Sequence, residues 1–264
     1  MPSNVVAVAP ALLLALAAVS ARGDEPTRAE HEFLFIPLRV HILKAEGLPE
    51  VDCALTDVDI RRIVRKVNEI WHVAGIQFNL GLILIEPAAN LDTYRDARDS
   101  APGGRAPLAA CRLLVPEANR AAQGVDVYFL HRFSVNGVYL GRNLAFVQET
   151  ARLRPVPGGL DEPLPRVLAH ELGHALSLPH RQDTTNLLAS GNDGYSLNPG
   201  EIGRSRRCAA EVPGATTWAA LRARAEAAEA DGRADLAGPL WSWLAEVDGP
   251  SAAPFRLRAL AAMP

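Results

Sequence analysis

Three of the chain's seven histidines fall in the run His170-Glu171-Leu172-Gly173-His174-Ala175-Leu176-Ser177-Leu178-Pro179-His180. Side chains four residues apart on an α-helix stand one above the other, so a helix over 163–177 brings the imidazoles of His170 and His174 to one metal ion. Leu168, Leu172 and Leu176 repeat on the opposite face, which predicts a helix with one buried side and one chemical side. Zinc accepts imidazole nitrogen readily. Three protein ligands leave its fourth position to water, and a carboxylate beside that water can take its proton. Glu171, between the two histidines, supplies such a carboxylate. For His180 to join them the chain must leave the helix after His174, because six further helical residues would rotate it away. Pro179 enforces that exit by disfavouring helical geometry at Leu178. A left-handed Ser177 could make that turn at a cost of about 1 kcal/mol, which a tight metal site can absorb, or the turn is made differently. Asp183 and Glu201 compete with His180 as third ligand.

The elements that must position these residues are legible upstream. Leu34, Ile36, Leu38, Val40 and Ile42 alternate with Phe35, Pro37, Arg39 and His41, the period of a strand with one buried face. Pro37 marks that strand as an edge or a start, and His41, on its other face, reads as a surface or hydrogen-bonded histidine rather than a ligand. Thr56 and Asp59 resemble a capping box, and Ile60, Ile63, Val64, Val67, Trp71 and Ala74 mark one helical face ending at Gly75. Ile76, Phe78, Leu80, Leu82 and Leu84 then alternate, completing a strand-helix-strand order typical of a parallel crossover. Residues 86–107 show no periodicity and read as a loop. Its acids Asp92, Asp96 and Asp99 lack the spacing of a calcium loop and read as solvated surface. A short helix from Leu108, disturbed at Pro116, leads to a strand over 125–130, a hairpin turn at Asn136-Gly137 and a strand over 138–148. Asp161 is the expected N-cap of the histidine helix, with Pro163 in its first turn. The fold class is α/β or α+β, with a mixed, mostly parallel twisted sheet.

At 264 residues, 48% apolar and 22% charged, the chain can bury one sizeable core with a small appendage. A formal net charge of -3 provides no electrostatic basis for binding nucleic acid or an anionic membrane. Residues 1–21 carry no charge and end in Val19-Ser20-Ala21 after an apolar run, the pattern of a signal peptide cleaved after Ala21. The mature protein is then secreted or periplasmic, with no membrane attachment, although the stretch is also long enough for an uncleaved anchor. Residues 22–32 read as a flexible N-terminus. Export permits one disulfide among Cys53, Cys111 and Cys208, with the pairing open. Residues 215–264, rich in Ala, Arg, Glu and Leu, form two or three short helices resembling a single helical-hairpin repeat of the tetratricopeptide kind. One such repeat cannot bury its own face, so it is expected to dock on the preceding domain, or else on a partner.

With Ser177 in place of its glycine, HELGHALSLPH resembles the elongated zinc-binding motif HExxHxxGxxH of the metzincin metallopeptidases. Asn186-Leu187-Leu188-Ala189-Ser190-Gly191 resembles the turn that carries methionine beneath the metal in that family, with Leu188 for the methionine, a swap that typically costs under about 1.5 kcal/mol. Leu197-Asn198-Pro199-Gly200-Glu201-Ile202 is similar to the start of the helix that follows the turn. The resemblance spans 33–208 and is specific over 168–202. It implies a zincin-like catalytic domain over 33–208 and one Zn2+ on His170, His174 and His180. It further implies an endopeptidase in which Glu171 is general base and acid. A protein or peptide substrate would pair with a sheet edge, for which 138–148 is the candidate. Tyr195 lies near where some relatives carry a tyrosine supporting the oxyanion; a packing role is favoured for it. The alternative is a catalytically inactive zinc-binding protein that uses the same scaffold as a protein-binding module. Ser177 and Leu188 feed that alternative, whereas retention of Glu171 feeds the enzyme, because a structural zinc needs no base.

Overall fold

The computed structural model describes residues 33–247 and 253–261. The expected signal peptide and flexible N-terminus, at 1–32, lie outside the described residues. Among the described residues β1 (Leu34–Lys44) comes first and is followed by α1 (Asp57–Trp71) and β2 (Ile76–Pro87). Thr56 and Asp59 close the capping box reciprocally at the start of α1. After α2 (Leu91–Asp99) come β3 (Val125–Leu130), β4 (Gly137–Tyr139) and β5 (Leu144–Gln148). Then follow α3 (Pro163–Ala175), α4 (Pro199–Glu211), β6 (Thr216–Thr217), α5 (Trp218–Ala230), α6 (Ala234–Val247) and α7 (Ala253–Ala261). The sheet order is β2-β1-β3-β5-β4, parallel throughout except for β4, which runs against β5, while the short β6 pairs antiparallel with the start of β1. This is the expected mixed, mostly parallel sheet. Among the described residues no helix is long and apolar enough to cross a membrane.

Period-two alternation sorts the side chains into two layers. Ile36, Leu38, Val40 and Ile42 of β1 join Val127 and Phe129 of β3 under α1 and α3, where Trp71, Leu168 and Leu172 complete the main core. On the other face Tyr128, Leu130 and Phe146 pack with Tyr94, Cys111 and Leu114. A third cluster joins Phe33 and Phe35 to Trp218, Leu221, Trp241 and Leu244, so the C-terminal helices cover the entry of β1. Each large apolar side chain buried there is worth about 1.5–3 kcal/mol.

Several expectations are corrected. Pro37 does not mark an edge, because β1 lies between β2 and β3. On the side away from β2, β6 pairs with Leu34 and Phe35 and β3 pairs from Leu38 onward, so Pro37 sits in the gap between them. Leu34 N–H points to the β2 side, at Gly75 O. By alternation the missing N–H of Pro37 faces that gap, where no ladder bond is lost. Of the two readings of His41 the hydrogen-bonded one holds and the surface one does not: it is fully buried, bonded to Glu86 Oε1 (2.5 Å) and Asp126 Oδ1 (3.3 Å), and outside the histidine cluster. Residues 86–107 are not a loop throughout, since α2 forms there. It buries only Tyr94, so no apolar stripe announces it. Its Asp92 pairs with Arg95 at 2.6 Å and Asp99 with Arg98 at 2.7 Å.

All three cysteines are free. Cys53 lies in the main core and donates to Glu149 Oε2 at 3.2 Å, Cys111 lies in the cluster on the far face of the sheet, and Cys208 lies on α4. Burial pushes the Cys111 thiol up to about 12.

The Asn136-Gly137 pair is not a hairpin turn. Gly137 already belongs to β4, and the chain reverses at Gly141, Arg142 and Asn143, whose φ values are 79°, 54° and 55°. The expected strand over 138–148 is therefore two strands, and only β4 lies at the sheet edge. The glycine serves a different need: a Cβ at 137 would stand 2.7 Å from Glu171 Oε1 and 2.9 Å from Val167 Cγ1. α3 approaches β4 too closely for any side chain there.

Candidate metal centre

α3 begins with Pro163 in its first turn, where a missing N–H costs nothing. Its N-cap is Glu162 rather than the expected Asp161. The Glu162 carboxylate makes no capping bond and instead pairs with Lys66 at 2.6 Å and with Arg62, tying α3 to α1. The helix ends in a Schellman arrangement: Ser177 N–H donates to His174 O at 3.0 Å and Leu178 N–H to Gly173 O at 2.9 Å. Ser177 holds the left-handed position at φ 62°. The serine side chain is exposed, so Ser177→Gly is expected to raise stability by about 0.5–1 kcal/mol, read as a higher midpoint in urea with an unchanged slope.

That turn swings His180 back to the helix. His174 Nε2 lies 3.1 Å from His170 Nε2 and 3.1 Å from His180 Nε2, and one ligand nitrogen from each of the three falls within 4.8 Å of the others. Two nitrogens bound tetrahedrally to one zinc at ~2.0–2.1 Å stand ~3.3 Å apart, so the donor set fits that ion. The second ring nitrogens fix the tautomers: His170 Nδ1 donates to Leu187 O and His174 Nδ1 to Leu178 O, each at 2.8 Å, which leaves the Nε2 lone pairs facing one another. Burial, reinforced by the Arg166 guanidinium, pushes His170 down to about 3, and burial also lowers His174. Both are neutral imidazoles at neutral pH, as a metal requires.

The competing carboxylates do not reach this cluster. Asp183 is exposed and caps the backbone and hydroxyl of Thr185 at 3.0 and 2.8 Å. Glu201 is buried but taken up by Arg181 (2.6 Å), Asn186 (2.9 Å) and the N-cap backbone of Asn198 (2.9 Å). Among the described residues the three histidines form the one group of donors arranged for a metal.

Glu171 lies on the same helix in the wall of the same cleft, 5% exposed. Burial pushes its carboxyl up to about 8, opposed by a hydrogen bond from the Tyr139 backbone N–H of the edge strand. The cleft, about 810 Å³, is bounded by β4, Leu153, Val167, the histidines, Ser190 and Gly191. A larger cavity of about 870 Å³ between α1 and the C-terminal helices contains none of these residues. Beneath α3, Leu188 is fully buried against Gly173, where a Cβ would lie 3.2 Å from Leu188 Cδ1. Its backbone N–H is held by Asn186 Oδ1 at 2.7 Å. Tyr195 is 41% exposed and lines no part of the cleft, so neither the packing role nor the oxyanion role is seen.

Arg166 is the residue that sequence reasoning missed. Buried to 2% exposure one turn before His170, its guanidinium donates to the carbonyls of Gly194 (3.0 Å), Asn186 (3.3 Å) and Ala189. Its Nη1 also lies 3.2 Å from His170 Nδ1, but both atoms carry protons. The shorter bond to Leu187 O therefore sets that ring. Desolvation lowers Arg166 to about 10, still charged at neutral pH. The sequence signal was a single charge in the otherwise apolar run Pro163–Ala169.

No protein-family model matches the sequence, and no curated protein matches it. Among solved structures the chain is similar to an archaemetzincin from Methanopyrus kandleri, at 19% identity and a TM-score of 0.36, over 70% of this chain and 94% of that one. A likeness at that level says nothing of the chemistry, which has to come from the residues themselves.

Proposed function

We propose that the protein is a zinc-dependent metallopeptidase that hydrolyses internal peptide bonds. One observation carries this reading: three imidazoles converge beside the buried carboxyl of Glu171, in a cleft walled by an open sheet edge. His170, His174 and His180 would hold the ion. Zinc, when bound, polarises a carbonyl and lowers the pKa of water. Glu171 accepts the proton of the attacking water and delivers it to the leaving amine, while the Tyr139 N–H keeps its carboxyl in place. A cation held by the three imidazoles would favour the ionised form of Glu171. β4 offers its unpaired backbone to an extended peptide, which aligns the scissile bond with the helix. The uncharged segment 1–21 supports export. Ser177 makes the turn that the motif needs and Leu188 fills the floor, so these two departures do not favour an inactive zinc-binding module.

Purified protein is expected to contain one zinc per chain, to cleave members of a broad peptide library, and to lose that activity to a chelator and regain it with zinc. His180→Ala should weaken zinc binding by about tenfold or more, while Asp183→Ala leaves it unchanged. Zinc bound without cleavage anywhere in the library would leave only the binding-module reading.

A further inference from the structure

Beside the metal cleft lies a second cavity of about 590 Å³, whose lining includes Tyr94, Arg98, Arg105, Arg132, Phe133 and Ser134. Two chain segments pass from one cavity to the other. Arg132 and Phe133 line the outer cavity, Ser134 lines both, and Val135 onward lines the metal cleft; likewise Arg105 and Ala106 line the outer cavity and Leu108 the metal cleft. The two cavities adjoin at Ser134.

Their charges differ. Arg98 is neutralised by Asp99 at 2.7 Å and by Glu50, the sole acid lining the outer cavity. Arg105 and Arg132 are exposed, and among the described residues neither has a carboxylate partner. The outer compartment therefore presents two uncompensated guanidinium groups against the apolar wall of Phe133 and Tyr94. Two like charges facing one cavity are complementary to an anion, and a guanidinium fork matches a carboxylate in particular. A peptide paired along β4 and continued past Gly137 toward Ser134 enters this compartment. At about 3.3 Å per residue the entry lies within about five residues of the position paired at Gly137.

We infer that Arg105 and Arg132 form a distal subsite for a glutamate or aspartate side chain of the peptide substrate, so that the enzyme prefers acidic sequences; this rests on the peptidase reading above. The test uses amidated fluorogenic peptides in which each position three to six residues from the scissile bond carries Glu, Gln or Lys in turn. At one position Glu is expected to raise kcat/KM about five- to tenfold over Gln, a preference lost in 1 M salt. Arg105→Glu/Arg132→Glu should turn the preference toward Lys while cleaving the all-neutral peptide at the wild-type rate. Arg105→Gln/Arg132→Gln, which should abolish the preference, serves if the charge reversal does not fold. Anisotropy of labelled peptides on the Glu171→Gln protein reads binding without cleavage. Cleavage of neutral peptides with no gain from Glu at any position overturns the subsite and leaves the peptidase standing. With no cleavage of any peptide, Arg-dependent tighter binding of the Glu peptide upholds the subsite and removes the peptidase reading, and equal binding of Glu and Gln peptides removes both.

Discussion

Glu171→Gln is expected to lower kcat for peptide hydrolysis by about 10³-fold while zinc stays bound at one equivalent per chain. The side chain is 5% exposed and lies outside the histidine cluster, so the exchange removes no ligand. Glutamine matches the volume that Gly137 leaves free, and its carbonyl oxygen can accept the Tyr139 N–H that now holds the carboxylate. What it cannot do is take up a proton. Loss confined to kcat, with KM near the wild-type value, would identify a group acting on the reacting atoms rather than on substrate binding. Steady-state kinetics with parallel metal analysis provide the check. A variant that keeps activity within tenfold of wild type would remove Glu171 from the mechanism.

Arg166→Met is expected to destabilise the protein by about 3–5 kcal/mol. Methionine can replace the aliphatic stem but offers no donors, so in a site that is 2% exposed the carbonyls of Gly194 and Ala189 lose the guanidinium, while that of Asn186 keeps the Ala189 N–H at 3.1 Å. Each buried acceptor without a partner costs about 1–3 kcal/mol. Relief from desolvating a cation offsets part of this, but the acceptors are backbone and remain whatever the side chain becomes. For a chain of this size each kcal/mol moves the melting temperature by about 2–4 °C, so a fall on the order of 10 °C is expected in a thermal melt. A fall below about 3 °C would mean that water replaces the guanidinium.

Why these effects were unequally legible follows from the residues concerned. The capping box at Thr56 and the extended run of β1 are local patterns and appear where the sequence puts them. But β1 is buried on both faces rather than the expected one, with Phe35, His41 and Leu43 covered as fully as Ile36, Leu38 and Val40. α2 was invisible because one buried tyrosine in nine residues makes no periodicity. Asn136-Gly137 carried a real signal for glycine that was assigned to the wrong cause, since what forbids a side chain at 137 is the approach of α3 and not a turn. Arg166 could not be read as a tether because its partners lie 20 to 28 residues downstream, and they are carbonyls, which every residue possesses.

By itself the sequence determined that His170 and His174 share a helix face with Glu171 between them, and that the chain must turn before Pro179. Helical period and proline sterics act over a few residues and need no knowledge of the remainder. Tertiary structure decided which third residue meets the pair: Ser177 adopts φ 62° and returns His180, while Glu201 is drawn away to Arg181 and Asn186. It also decided the surroundings of Glu171, buried against Gly137 and held by Tyr139, and the open edge of the sheet at β4. These depend on which surfaces meet across the fold. Burial, bonding partners and raised or lowered pKa values are properties of that meeting and not of the residues along the chain.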